Sequence, residues 1–186
     1  ILKEKDVKAT FFVLGQNLEN NTYSQKLLKR AIIEGNAIGN HSYSHNMKKL
    51  YPNNNIDIDA FMNEIDHTNN LLKSILGNDF DTKVIRMPGG YNSRQYYNDP
   101  SLSAFNDNLS QNNIVSIDWN ALNRDSEGKN YSAQDMLNYA IKTSENKNQI
   151  VILMHDAYGK EKTVQMLPEL IDYYKNHGYE FKTIQS

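Results

Sequence analysis

Short apolar runs alternate along this chain with longer stretches of helical period, and no other feature narrows its fold as much. The runs are Ala9 to Leu14, Ala37 to His41, Val84 to Met87, Ile114 to Trp119, Ile150 to Met154 and Tyr179 to Ile184. Several are rich in β-branched and aromatic residues, as strands are. The stretches between them read as helices. Tyr23 to Gly35 sets Leu27, Leu28, Ala31 and Ile32 on one face and stops at a glycine. Ile56 to Gly77 spaces Phe61, Ile65, Leu72 and Ile75 at helical intervals and stops at another. Ser132 reads as the N-cap of a helix reaching Lys147, with Gln134 and Asp135 in its first turn, and Lys162 to His177 stops at Gly178. Ile1 to Lys8 reads as the end of a helix entering the first strand. Strand, helix and strand at this period predict βα units on a parallel sheet. Six strands and about five helices are too few for an eight-fold barrel. No linker or repeat interrupts residues 1–186, which read as one domain, although Pro52 to Asn55 forms a polar loop.

The composition is globular, with 39% hydrophobic and 23% charged residues in 186, and long enough to bury a core. No apolar run approaches the length of a membrane span, and no signal-peptide pattern opens the sequence. A net charge of −2 without a basic block argues against nucleic acid or an anionic membrane as partner. The absence of cysteine excludes disulfides, thiol catalysis and cysteine-ligated metals.

The residues suited to chemistry lie at or just past the ends of the expected strands, where parallel α/β folds build their sites. In His41-Ser42-Tyr43-Ser44-His45, two histidines four apart share a face if the segment is a helical turn, and could then bind one metal ion. In Arg86-Met87-Pro88-Gly89-Gly90, the arginine can hold a carboxylate ionised and the glycine N–H groups can face an oxyanion. Asp118-Trp119-Asn120 with Asp125 supplies acids able to hold a basic partner, and His155 in Leu153-Met154-His155-Asp156 suits general acid or base work. Each has a plainer reading: surface histidines, a tight turn, loop carboxylates beside a packed tryptophan, a histidine satisfied by backbone. Tyr91, Tyr96 and Tyr97 could line a sugar cleft or anchor a loop, and His67 and His177 read as surface residues.

In order and spacing, KATFFVLG, HSYSH, RMPGG, DWN with Asp125, and LMHD resemble the polysaccharide deacetylase family, also called the NodB-homology domain or carbohydrate esterase family 4. The resemblance spans essentially the whole chain. It implies an α/β fold, an irregular (β/α) barrel with fewer than eight strands. It implies removal of acetyl groups from N-acetylated sugars such as peptidoglycan or chitin, or O-acetyl groups from xylan, with a divalent metal, most often zinc, held by an Asp and two His. His41 and His45 fall on the two metal histidines, and Arg86 on the arginine that orients the catalytic base. By the same resemblance Gly89, with Gly90 and Tyr91 beside it, falls on the oxyanion and substrate segment, Trp119 and Leu153 would line the substrate pocket, and His155 would be the catalytic acid. Aligning Trp119 with the first tryptophan of the family's WSVDxxDW motif makes Asp125 the partner that tunes His155. Leu122 and Ser126 then replace two of that motif's residues, and a competing register gives the tuning role to Asp118.

The family's TFDDG motif, which carries the base and the metal-binding aspartate, has no counterpart between Ile1 and Ser186. The expectation is an N-terminally incomplete domain with two metal ligands and no base. Two rivals stand beside the deacetylase: a sugar-binding module without catalysis, and a metal-dependent hydrolase of small cyclic amides. A cell-wall glycan substrate implies an extracellular or cell-surface protein of a Gram-positive bacterium, with any membrane tether outside this chain.

Overall fold

The computed structural model describes residues 1–184, which divide into two compact units. One comprises Lys8–Asp118 with the residues from Thr183 on, the other Ile1–Val7 with Trp119–Lys182.

The larger unit runs β1 (Thr10–Val13), α1 (Thr22–Ile33), β2 (Ala37–Asn40), α2 (Met47–Leu50), α3 (Ile58–Leu76), β3 (Val84–Ile85), α4 (Tyr91–Tyr96), α5 (Leu102–Gln111) and β4 (Val115–Ser116). Its four strands are parallel and lie side by side in chain order. The register pairs Val13 with Asn40, Asn40 with Ile85 and Ile85 with Ser116. Every strand therefore ends at one edge, and the residues that follow, Gly15, His41, Arg86 and Asp118, are delivered to that edge together.

Helix α3 carries the core. Phe61, Ile65, Thr68 and Leu72 recur at the spacing of one helical face and are all buried. Phe61 and Ile65 join Leu50, Ile85, Met87, Phe105 and Leu109 in one cluster, while Leu72 joins Leu18, Leu28 and Ile38 in another.

The smaller unit holds β5 (Ala121–Leu122), α6 (Ala133–Ser144), β6 (Ile152–Leu153) and α7 (Glu161–Asn176), with β5 and β6 parallel. Ser132 caps α6 through a capping box completed by Asp135. Met136, Leu137 and Ala140 of α6 close against Met166, Leu170 and Tyr174 of α7.

The α/β class, the parallel strands and the four long helices agree with the sequence reading, and Gly35, Gly77 and Gly178 follow their helices as expected. Two local expectations need correction, and four short elements are additions to the sequence reading. Ile1 to Lys8 forms hydrogen-bonded turns, with Lys5 N–H on the Ile1 carbonyl at 2.8 Å, and no helix. Tyr179 to Ile184 joins no sheet among the described residues: Tyr179 and Phe181 pack on the α6–α7 cluster, and Ile184 exchanges hydrogen bonds with the Thr10 hydroxyl. The two-residue β5 escapes notice because it sits between asparagines. Helices α2, α4 and α5 are too short to show a full apolar stripe; α5 buries only Phe105 and Leu109.

Candidate active site

The HSYSH segment is not a helical turn. Ser42 and His45 adopt left-handed backbone conformations, with φ of 69° and 55°. This bend brings the His41 and His45 rings to 5.0 Å between centroids, edge to face. His41 Nδ1 lies 2.6 Å from the Arg86 carbonyl, which can only accept, so Nδ1 carries the proton and Nε2 keeps its lone pair. Metal-bound histidines commonly show this arrangement, in which the second ring nitrogen is tied to a carbonyl. Two neutral imidazole nitrogens fit zinc as part of a ligand set. Among the described residues, no three His, Cys, Asp or Glu side chains gather closely enough to complete it.

The loop between the histidines is tied down at every backbone group. Its amides go to Asn40 Oδ1 from Ser42 (2.8 Å), to Glu64 Oε2 from Tyr43 (3.2 Å) and Ser44 (2.9 Å), and to Ser42 Oγ from His45 (3.1 Å). The carbonyls of Ser42, Tyr43 and Ser44 accept from Gly15 N–H, Gln16 N–H and the Gln16 side chain. Gly15 can come this close because it has no side chain: a Cβ there would stand 2.6 Å from both Thr68 Oγ1 and Tyr43 Cδ2. Glu64 and Asn40 escaped the sequence reading. A signal existed for Glu64: it sits three residues after Phe61 and one before Ile65, inside the apolar stripe of α3, where a carboxylate needs a reason. The helix-borne His67, read as a surface residue, stacks on Tyr43 at 4.2 Å between centroids.

The RMPGG segment is held as closely. The carbonyls of Arg86, Met87, Pro88 and Gly89 accept, in turn, from His41 Nδ1, Gly90 N–H, Tyr51 Oη and Ser93 Oγ. Since Gly90 N–H closes this turn, the Gly89 N–H is the one of the pair that the turn does not use. Gly89 has φ of 77°, and a Cβ there would meet Met47 Cε at 3.0 Å. Arg86 is buried over the Phe12 ring, donating to the carbonyls of Ile117 at 3.1 Å and Asp118 at 3.4 Å. Burial pulls its guanidinium down to about 10, with Asp118 opposing the shift, so it stays charged at neutral pH. The Asp118 carboxylate accepts the N–H groups of Tyr91 and Asn92 at the start of α4, both at 2.8 Å. Tyr91 is further fixed by Asn106, which donates to its hydroxyl at 2.8 Å. Met47, Asn54, Gly89, Ser93, Arg94 and Tyr97 line a cleft of about 470 Å³. Tyr97 is half exposed there, whereas Tyr96 points largely to solvent.

In the smaller unit, His155 follows β6 and is paired with Asp125. Nδ1 stands 2.7 Å from Asp125 Oδ1, and Asp125 Oδ2 accepts the His155 N–H at 2.7 Å and the Thr163 hydroxyl at 3.0 Å. The carboxylate is 3% exposed. Burial would raise its pKa, but the hydrogen bonds from the His155 side chain and backbone outweigh burial and lower it. Of the two registers open in the sequence, the contact to His155 belongs to Asp125. Leu153 ends β6 half buried, and Trp119 is half buried ahead of β5.

A sequence profile described as polysaccharide deacetylase matches residues 1–106. A peptidoglycan-N-acetylglucosamine deacetylase of Bacillus cereus is 32% identical over 97% of this chain, and a bifunctional xylanase/deacetylase of Pseudobutyrivibrio xylanivorans 30% over 99%. The chain spans 61% of the first relative's length and 26% of the second's. Among solved structures, a Streptococcus mutans CE4 esterase superposes with a TM-score of 0.90 at 35% identity, over 99% of this chain and 77% of its own. A Bacillus cereus polysaccharide deacetylase superposes at 0.81 with 28% identity, over 100% of this chain and 82% of its own.

Proposed function

The chain belongs to the polysaccharide deacetylase family, and we propose that it serves in removing acetyl groups from N-acetylated glycan, N-acetylglucosamine of peptidoglycan in particular. The observation that carries this reading is the histidine pair, with His41 Nδ1 tied to the Arg86 carbonyl and His45 beside it. His41 and His45 would contribute two ligands to a divalent metal, which we take to be zinc. When bound, such an ion polarises a carbonyl and makes water more acidic.

The chain's own residues supply further parts. Arg86 offers a buried, fixed cation that can hold a carboxylate base ionised and oriented. Gly89 offers an N–H donor on a rigid turn, able to stabilise the oxyanion formed at the acetyl carbon. In the cleft beside it, the Tyr97 ring gives a pyranose a flat apolar face. His155 would protonate the leaving amine. Asp125 accepts at Nδ1, so an imidazolium there presents its transferable proton on Nε2. Leu153 and Trp119 offer the smaller unit's apolar side chains to the substrate. The substrate lies outside the cell membrane, so the protein would act at the cell surface; recovery from a cytosolic fraction would sink that part.

The test is acetate release from N-acetylglucosamine oligomers by the full-length protein, with zinc supplied or chelated. Zinc-dependent release that disappears in His41→Ala is the expected result. Sugar binding without any acetate release would replace the enzyme with a binding module. Release from small cyclic amides but not from oligomers would move the substrate class.

A further inference from the structure

We propose that Glu64 is the positioning residue of the histidine pair: from α3 its buried carboxylate fixes the left-handed loop that aims His41 and His45, and so sets metal affinity without touching the metal. This rests on the reading of those histidines given above.

The loop carries strain that something must hold. Ser42 and His45 are non-glycine residues with φ of 69° and 55°. Such residues sit in a sparsely populated conformation and persist only where their surroundings over-determine it. Glu64 supplies that restraint between the two strained positions. Oε2 accepts the consecutive amides of Tyr43 and Ser44, while Oε1 accepts the Ser44 hydroxyl at 2.7 Å and Lys49 Nζ at 2.9 Å. A further tether from outside the loop is Asn40, which accepts the Ser42 amide and whose side chain donates to the Ile65 carbonyl at 2.9 Å and Asn69 Oδ1 at 2.8 Å. Both tethers thus refer the loop to the same turns of α3.

Stability alone does not ask for a carboxylate at this position. Glu64 is 2% exposed and shares a face with Phe61, Ile65, Thr68 and Leu72, where an apolar side chain would pack at no desolvation cost. Burial raises its pKa, but the Ser44 N–H, the Ser44 hydroxyl and Lys49 together lower it. The donors thus hold an ionised acceptor in place, and the loop it fixes is the one bearing both histidines.

The test compares Glu64→Leu with Glu64→Gln in the intact chain, titrating zinc ion alone against a competing chromophoric chelator and following thermal unfolding alongside. Leucine suits the apolar stripe but accepts nothing. Glutamine keeps a carbonyl oxygen for the Tyr43 and Ser44 amides and loses the charge. The expected result is a zinc Kd about 10–100-fold weaker in E64L, with its melting temperature retained and most of the affinity restored in E64Q. Equal loss in both variants would mean that charge, not position, matters, and would overturn the proposal; so would wild-type affinity in E64L. Should E64L fail to fold, Ser44→Ala removes one of the four contacts, together with the Asn46 N–H bond to the same hydroxyl, and a Kd weakened a few-fold, about the worth of one or two hydrogen bonds, is expected. An unchanged Kd there overturns the proposal. A wild-type chain that takes up no zinc overturns the metal reading and this proposal with it, whereas failure of acetate release alone touches only the substrate.

Discussion

The HSYSH loop and the His155 site position histidines by opposite means. His41 and His45 sit on a strained bend whose amides and carbonyls between them are each taken by a partner drawn from β2, α3 and the turn after β1. His155 lies two residues past a strand and is aimed by one carboxylate that accepts from both its backbone N–H and its ring Nδ1. A pair of rings that must keep a fixed mutual geometry needs its backbone held at many points. A single ring that moves a proton needs one tautomer and one direction, and a single carboxylate can set both. The first design is sensitive to packing anywhere around the loop, the second to one atom pair.

The contrast can be broken most forcefully at His155. Changing it to alanine should lower kcat on N-acetylglucosamine oligomers on the order of 10²–10⁴-fold, the usual worth of a general acid, with KM and zinc affinity little changed. A loss of zinc affinity would mean that the two sites are not separable in this way. Next in size, Gly15→Ala should destabilise by about 1–3 kcal/mol in urea unfolding, because its Cβ would stand 2.6 Å from Thr68 Oγ1 and the Tyr43 ring. It should weaken zinc binding as well, since the same glycine holds the Ser42 carbonyl. Asn40→Ala, which empties a fully buried amide bridging Ser42, Ile65 and Asn69, should cost a similar or smaller amount, about 1–3 kcal/mol, and leave the proton-transfer limb of the pH–rate profile in place.

The smallest effect sharpens the other side. Asp125 has a folded pKa below its unfolded value of about 3.9, so the unfolded state binds its proton first on acidification. Its contribution is present above that value and is lost as pH falls through the lower folded one. Wild type should therefore exceed Asp125→Asn in urea midpoint at pH 7, and the gap should close below about pH 4. A gap that is the same at both pH values would remove the ionised carboxylate from the account.

Much of this was legible in the residues. The apolar period of α1, α3, α6 and α7 and their glycine stops are local properties, and so is the placing of His41, Arg86 and His155 just past apolar runs. The less legible elements are those whose signal is short or borrowed. Strand β5 has two residues and exists through its pairing with Ile152 and Leu153. Tyr179 to Ile184 has the composition of a strand but is secured by packing and by the Thr10 hydroxyl. Asp118 and Asp125 are equally plausible partners for a histidine until the fold gives the first to the amides of Tyr91 and Asn92 and the second to His155.

By itself the sequence determined the α/β class, the long helices and the strand-end sites, because periodicity and capping act over a few residues. It also carried the motifs by which the family is known. Only the tertiary structure decided how the histidines are aimed. It replaced the expected helical turn with a left-handed bend, put Glu64 and Asn40 behind that bend, and chose Asp125 for His155. Those outcomes depend on contacts between residues some twenty to thirty positions apart. Such contacts exist only in the packed fold, where a partner offsets the desolvation of the buried polar group.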